Sequence, residues 1–452
     1  MKKMKHDVPT RLVKVLILIL MMVAFGFVWY GYYAARAQVH YYRRGDWVVI
    51  LLFGILYYGF CRSYDAFHIS ISPISEIIYS QTLALIISDF IMYVVIWLLS
   101  LYMPNAVPLL ITFGVQFLIS VLWTFLAHQW YFHNFQPGRT AVIYDLREGM
   151  ESLVGEYGME KKFHIEKVLG VEECLAKLSV LDEMDTVFLS GIHSHERNII
   201  LKYCMYQDIQ VYVIPRIGDV IMGGAKKVHM FHLPMLRIDR YRPIPEYTIA
   251  KRAFDILFSG IAIVIASPFM LVTAIAIKSD GGPALYKQKR LTKDGKEFNV
   301  LKFRSMRVDA EKDGVARLST GDKDDRITPV GKIIRKIRFD ELPQLFNILR
   351  GDMSIVGPRP ERPEIARQYE EEMPEFRLRL QAKAGLTGYA QVYGKYNTTP
   401  YDKLLMDLTY IGTPSLWEDF KICLATVKIL FMPESTEGVA EGATTAMDGE
   451  KH

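Results

Sequence analysis

The sequence predicts a membrane protein in three parts: an N-terminal four-helix transmembrane bundle, a Rossmann-like α/β middle domain, and an α+β domain attached to the membrane by a broken helix. Three observations carry this expectation. Four apolar runs precede residue 135. Strand and helix patterns alternate between 139 and 240. A fifth apolar stretch is divided by Ser267-Pro268 and leads into a basic segment of mixed pattern. The 452 residues are 51% hydrophobic and 23% charged, close to a globular average, which excludes a disordered or collagen-like chain. A net charge of +5 provides no global field for nucleic acid. Cys61, Cys174, Cys204 and Cys423 lie far apart with no C-x-x-C, so neither a zinc site nor a disulfide framework is expected.

The apolar runs cover 12–34, 47–60, 77–103 and 108–131. A span needs about 20 apolar residues to cross about 30 Å of hydrocarbon. The first, third and fourth satisfy this, and the second does so when extended toward Tyr64. The first run is too long for a cleaved signal peptide and lacks a small-x-small site before its polar loop. Lys2, Lys3, Lys5, Arg11 and Lys14 before the first span favour a cytoplasmic N-terminus. Arg139 and Arg147 after the fourth span place the rest of the chain on the same side, against Arg36, Arg43 and Arg44 in the first loop. Asp89 is the acid inside a span and is read as a packing or interfacial group, because the spans otherwise resemble anchors.

Residues 135–246 form the second part. Strands are expected at 140–144, 185–189 and 210–214, with a helix over 194–207. That alternation implies a parallel sheet. The turn Tyr144-Asp145-Leu146-Arg147-Glu148-Gly149 lacks the glycines that let a backbone approach a pyrophosphate, so tight dinucleotide binding is not expected. His193 and His195 read as surface residues, and the domain as regulatory or dimerising.

The fifth apolar stretch, 253–277, is interrupted at Ser267-Pro268. Proline removes a helix hydrogen bond and crowds the carbonyl four residues back. Each piece is too short to span. Lys251, Arg252 and Lys278 flank it, which favours both ends on the cytoplasmic side and a helix-break-helix that enters one leaflet and returns. The alternative is a kinked spanning helix.

Beyond it, strands over 286–291 and 297–303 flank Asp294-Gly295 as a hairpin. Between Lys287 and Arg307 there are eight basic residues against two acids. Arg326, Lys332, Arg335, Lys336 and Arg338 then interleave with Ile333, Ile334 and Ile337, a basic amphipathic helix suited to anionic lipid. Asp340-Glu341 precede Pro343 at a helix start. Taken alone, they read as an N-terminal acid cap. Beside a basic strand and the rigid Gly357-Pro358-Arg359-Pro360 loop, two adjacent acids suit a divalent cation and phosphoryl transfer.

Over 247–432 the chain resembles the monotopic phosphoglycosyl transferases of bacterial exopolysaccharide, capsule and O-antigen synthesis. The likeness rests on Lys251-Arg252 with Asp255, Ser267-Pro268, Lys302-Phe303-Arg304-Ser305-Met306, Asp340-Glu341-Leu342-Pro343-Gln344, Val356-Gly357-Pro358-Arg359-Pro360 and Gly385-Leu386-Thr387-Gly388. The bundle (1–134) and α/β domain (135–246) match the larger, large-type members. Two departures stand out: Ala384 where the family usually has proline, and Tyr393-Gly394-Lys395 where Asn-Gly-Arg is frequent.

The resemblance implies a monotopic α+β catalytic domain with a re-entrant membrane helix. Its reaction transfers a hexose-1-phosphate from a UDP-hexose to undecaprenyl phosphate and releases UMP, through a phosphosugar on an aspartate. It implies Asp340 as nucleophile and Glu341 as catalytic partner, the two acids holding Mg²⁺. Lys302, Arg304, Arg335, Pro358, Arg359 and Lys395 would bind substrate. It places the protein in the bacterial inner membrane among lipids, without nucleic acid. The hexose is left open, with glucose or galactose favoured by analogy. Oligomeric state is open too, and a homodimer is compatible. A non-catalytic scaffold or nucleotide-sugar sensor is the competing reading, and a transporter the third. The polar segment 433–452 reads as a disordered tail.

Overall fold

A computed structural model describes residues 2–36, 45–100, 102–145, 147, 149–279, 281–307, 326–394 and 398–430. The chain divides into two compact units, Met1–Ile214 and Pro215–His452.

The first unit opens with α1 (Lys2–Val28), which runs on through a π-turn (Trp29–Tyr33) and a 3₁₀ turn (Ala34–Arg36). Next come α2 (Gly45–Ser63), α3 (Ile74–Ser100) and α4 (Val107–Asn134). All four are long and apolar enough to cross a membrane. The short second run is extended at both ends into α2, with Arg62 in its last turn. α1 packs on α2 and α4, and α3 packs on the same two helices. Phe25 stacks on Phe53 with ring centres 4.5 Å apart, and Ile17, Met21, Leu85 and Met92 are buried nearby in the bundle core. Leu12, Phe27, Phe90 and Leu118 point outward, as lipid-facing positions do. Helices without a hydrophobic drive between them associate through small and polar groups. Here Ser120 Oγ donates to Gln81 Oε1 (2.5 Å) and Trp123 Nε1 to the Val13 carbonyl (3.1 Å). Asp89 is buried within α3, and its carboxylate oxygens have no hydrogen-bond partner among the described residues.

The same unit continues with β1 (Gly138–Tyr144), α5 (Met150–Glu156), β2 (Phe163–Gly170), α6 (Val171–Ala176), β3 (Thr186–Ser190), α7 (Ser194–Tyr206) and β4 (Gln210–Val213). The sheet is parallel, in the order β2-β1-β3-β4. The three expected strands are present. β2 was not expected, because charged residues interrupt its apolar pattern at an edge of the sheet. His193 is exposed, with Nδ1 2.9 Å from Asp145 Oδ2, a surface pair. Leu146 and Glu148 of the turn after β1 lie outside the described residues.

The second unit begins with α8 (Ile217–Gly223), β5 (Lys226–Met230) and β6 (Leu233–Arg237). Residues 215–245, assigned to the middle domain from sequence, thus group with the later chain. α8 packs on α14 (Pro400–Gly412). A Cβ on Gly224 would come within 2.7 Å of Gly412 Cα, a close approach that hydropathy does not reveal.

Next is α9 (Pro245–Lys278), 34 residues with Pro268 inside. The expected helix-break-helix is a single helix. Pro268 has no N–H to offer the Val264 carbonyl, and Ser267 Oγ donates to that carbonyl at 2.8 Å. The hydroxyl satisfies the group that proline orphans, and the helical backbone continues through Pro268. At about 1.5 Å per residue α9 is about 50 Å long, and by length and composition it is a fifth candidate span. Both of its ends are tied to the same unit. Arg252 donates to the Ile348 and Leu349 carbonyls (both 2.7 Å), and Asp255 accepts from Ser354 Oγ (3.0 Å) and Ile355 N (2.9 Å). At the far end, Arg304 Nη2 donates to the Ile277 carbonyl (3.2 Å), and Ile277 is buried with Phe303 and Ile334. Between these anchors Leu257, Ile261, Val264, Ile265 and Phe269 are exposed.

The remainder surrounds the site. β7 (Leu285–Leu291) and β8 (Glu297–Phe303) form the expected hairpin, with Asp294 and Gly295 both at positive φ. α10 (Pro329–Lys336) carries the basic amphipathic pattern. Thr328 caps it by accepting from Gly331 N (2.9 Å), Ile334 is buried and Ile333 exposed. α11 (Gln344–Arg350), β9 (Ser354–Val356), α12 (Pro363–Glu372), β10 (Gly385–Thr387), α13 (Tyr389–Tyr393), α14 and α15 (Leu416–Leu430) complete the chain, with β9 and β10 parallel.

Candidate active site

Asp340 and Glu341 sit on a one-turn 3₁₀ helix (Phe339–Glu341) that leads through Leu342 and Pro343 into α11. The residue before this turn, Arg338, has φ 55° and ψ 25°. A left-handed arginine is strained, and such residues gather at functional sites. Pro343 caps α11 and does not lie inside it. Glu341 N and Leu342 N bond to the carbonyls of Arg338 and Phe339. Those amides are therefore already paired, and what the turn presents is its carboxylates.

Three cations converge on the acid pair from different elements. Lys302, on β8 between the buried Leu301 and Phe303, donates from Nζ to Glu341 Oε1 at 3.0 Å. Arg359 Nη2, from the loop after β9, lies 3.7 Å from the same oxygen. Arg335, on α10, has a buried Nη1 with no hydrogen-bond partner among the described residues. A buried guanidinium nitrogen left unpaired is costly unless a ligand supplies an acceptor.

The two carboxyls are driven apart in acidity. Burial raises Asp340, the neighbouring Glu341 charge raises it further, and Lys302 and Arg335 oppose both without prevailing. Burial also works to raise Glu341, but Lys302 and Arg359 outweigh it and hold that carboxyl well below the ordinary range. Paired titratable groups with opposed environments take different chemical roles. Glu341 is a permanent anion neutralised by two cations, and Asp340 is the acid kept clear of a direct ion pair among the described residues.

Asn347, which the motif reading passed over, holds this geometry. Almost fully buried, it accepts from Leu301 N with Oδ1 (2.9 Å) and donates from Nδ2 to the Asn299 carbonyl (2.8 Å) and Asp352 Oδ2 (3.0 Å). It thereby fixes α11 against the strand that carries Lys302. An amide on the apolar face of α11 was the available signal.

Other expected site residues fall elsewhere. Arg304 is buried, with Nε on the Pro283 carbonyl (2.9 Å) and Nη2 on that of Ile277. It fastens the end of α9 to the hairpin, so these nitrogens are engaged with backbone carbonyls. β8 ends at Phe303, so the chain turns and Arg304 does not continue the face that displays Lys302. Pro358 is buried, and its carbonyl accepts from Gly385 N (2.9 Å). It shapes the Arg359 loop. Ser267 and Pro268 lie within the continuous α9. Lys395 lies outside the described residues.

Gly357, Gly385 and Gly388 explain their motifs sterically. A Cβ on Gly385 would stand 2.1 Å from Gly357 N, and one on Gly388 2.1 Å from Gly357 O. The backbones touch, and the Arg359 loop rests on that contact. Ala384, where proline was anticipated, donates its N–H to Thr292 Oγ1 (3.1 Å), a bond that proline cannot make.

Among the described residues no group of three or more His, Cys, Asp and Glu side chains comes together, so no all-protein cage for a metal is formed. The residues at the site that could hold a divalent cation are the carboxylates of Asp340 and Glu341; Mg²⁺ takes one or two carboxylates and completes its shell with phosphate oxygens and water.

Comparison with known proteins matches residues 246–433 to the bacterial sugar transferase family. The chain is 39% identical over 234 residues to a UDP-N-acetylgalactosamine-undecaprenyl-phosphate N-acetylgalactosaminephosphotransferase of Aeromonas hydrophila, covering 51% of this chain and 54% of that one. It is 41% identical over 201 residues to a UDP-glucose:undecaprenyl-phosphate glucose-1-phosphate transferase of Caulobacter vibrioides, covering 43% of this chain and 74% of that one. It is 41% identical over 197 residues to the galactosyl transferase CpsE of Streptococcus agalactiae, covering 41% and 43%. The matched part thus spans about half of the Aeromonas relative and three quarters of the Caulobacter one. The acid pair, Lys302, Arg335 and Arg359 all fall inside residues 246–433, which match the family.

Proposed function

This chain belongs to the bacterial sugar transferase family, and we propose that it transfers a hexose-1-phosphate from a UDP-sugar to undecaprenyl phosphate, releasing UMP. The observation that carries this is the acid pair on a strained turn, with Lys302 and Arg359 on Glu341 and an unpaired buried Arg335 nitrogen beside it. That is an anion-receiving site with a carboxylate at its centre.

In the first displacement an Asp340 oxygen attacks the sugar-bearing phosphorus of the donor. The P–O bond to UMP breaks, and UMP leaves with the electron pair. In the second, a phosphate oxygen of the lipid attacks the same phosphorus, and the acyl phosphate bond breaks to return the carboxylate. One phosphoanhydride is exchanged for another, so no further energy source is needed. A covalent intermediate lets one site serve a soluble donor and a lipid acceptor in turn. Lys302, Arg335 and Arg359 hold phosphate oxygens and offset the charge that spreads over them. Burial keeps Asp340 poorly hydrated and hence reactive. Mg²⁺, held by Glu341 and Asp340, would neutralise the diphosphate when bound.

The membrane arrangement follows the same reading. Both ends of α9 are fixed to one unit, which supports an entry from the cytoplasmic leaflet and a return to it, with the bend at Pro268. The active site then faces cytoplasmic UDP-sugars at the level of the lipid phosphates, in the bacterial inner membrane.

The test is UMP release from UDP-glucose, UDP-galactose and UDP-N-acetylgalactosamine with Mg²⁺. With donor alone, wild type should release up to one UMP per site and gain a sugar-phosphate adduct on Asp340 by rapid-quench intact-mass spectrometry. Asp340→Asn should fold and insert, yet give neither. Turnover by Asp340→Asn at a near-normal rate would exclude the covalent route, and inactivity of wild type with all donors and lipid phosphate would exclude the transferase.

A further inference from the structure

Behind the Arg359 loop lies a layer of buried charge that the proposed chemistry does not use. Four consecutive carbonyls of the loop each accept a hydrogen bond. That of Pro358 accepts from Gly385 N (2.9 Å), that of Arg359 from Arg379 Nη2 (2.9 Å), that of Pro360 from Arg290 Nη1 (3.0 Å) and that of Glu361 from Leu291 N (3.0 Å). Arg379 stands at the middle of this array. It is 3% exposed, and its Nη2 lies 2.6 Å from Asp407 Oδ2. Its Nη1 is 3.5 Å from Glu361 Oε1, and its guanidinium lies over the Phe376 ring at 4.8 Å. Asp407 is 1% exposed on α14.

A buried ion pair is weak evidence for stability, since desolvation offsets most of the attraction. Geometry gives this one a more specific role. Nη2 of Arg379 donates to the Arg359 carbonyl and faces Asp407 as an ion pair, while Nη1 faces Glu361. The planar fork lets α14 set the position of the loop. Arg359, by contrast, has a side chain about half exposed, with Nη2 3.7 Å from Glu341 Oε1.

We infer that Arg379, oriented by Asp407, is a positioning residue that holds the Arg359 backbone so that the Arg359 guanidinium meets the phosphate site. This rests on the phosphosugar-transfer reading. Arg379 touches neither donor nor lipid, and it acts through Arg359 alone.

The consequence is coupling. If Arg379 works only through Arg359, its removal matters only while Arg359 can do its task. Arg379→Lys keeps the charge but loses the planar, two-pronged guanidinium that faces Asp407 with one nitrogen and Glu361 with the other. It should lower kcat/KM for the donor about tenfold in the natural background, and less than twofold in an Arg359→Lys background. Hydrogen exchange of peptides covering 354–362 should quicken in Arg379→Lys, with peptides of 344–350 unchanged. An equal fold-loss in both backgrounds, or unchanged exchange at 354–362, overturns the inference. Should Arg379→Lys fail to fold, Asp407→Asn, which keeps the volume and removes the orienting charge, is subject to the same two criteria. If wild type shows no transfer at all, the reaction assignment fails. The exchange experiment then decides the positioning role by itself.

Discussion

Asp340 and Glu341 are neighbours in sequence and opposites in acidity, and that difference has a measurable sign. Glu341 is depressed by Lys302 and Arg359 against its burial. Its contribution to stability is therefore full above the unfolded carboxylate range and lost as pH falls through its low folded value. Asp340 is raised, by burial first and Glu341 second. Its charged form is the disfavoured one, so the acid limb of the UMP burst should lie above that of an ordinary aspartate. Glu341→Gln removes one of the two raising influences, and the limb of the residual burst should move to lower pH. A limb that stays put or moves upward would detach Asp340 from the rate. At this scale the sequence was informative where function depends on residue type. Lys302, Asp340, Glu341 and Arg359 were expected, and they meet. Arg304 instead lies on the Pro283 and Ile277 carbonyls, because direction depends on where a strand ends, which motif spacing does not encode. Arg379 went unseen because it acts on a backbone carbonyl, which has no letter of its own, and Asp407 because its partner is Arg379, on a different element.

Elements were legible where their period was unbroken. The hairpin β7–β8 and the amphipathic α10 follow from turn chemistry and charge pattern. α9 shows the limit. Pro268 argues for a break, yet the helix runs through it, with Ser267 Oγ on the Val264 carbonyl that proline leaves without its N–H, a contact found only by following that carbonyl. Ala384 offers a similar lesson with a test. Its N–H reaches Thr292 Oγ1, which in turn donates to the Asp352 carbonyl (3.1 Å). Ala384→Pro, although it restores the usual family residue, should here remove a buried bond and cost about 1–3 kcal/mol. Thermal unfolding should show a lower midpoint for Ala384→Pro than for Ala384→Ser, and equal midpoints would remove the bond from the account.

At the largest scale, the five long apolar helices among the described residues divide as four plus one between the two compact units. The first four are bundled. α9 has both termini bound to the unit that carries the acid pair. Single cysteines at Ala250 and Ser279 should accordingly both be modified by an impermeant reagent from the cytoplasmic side in inverted vesicles, and neither in intact cells. Modification from opposite sides would make α9 a full span and leave the re-entrant arrangement untenable. Hydropathy located all five helices but assigned residues 215–245 to the preceding domain. That attachment depends on the contact between Gly224 and Gly412, far apart along the chain and touching in space. Compositional boundaries are blind to such contacts.

The meeting of Gly357, Gly385 and Gly388 also bears on how this chain can drift over generations. Crowding between side chains is relieved when a neighbour shrinks, and that is how most interiors tolerate change. Here the crowding is between main chains, which cannot shrink. A methyl group gained at any of the three has no compensating partner elsewhere in the sequence. These positions are closed to gradual substitution even in a descendant that had abandoned its chemistry. Their persistence in such a descendant would record the shape of the loop and say nothing about its activity.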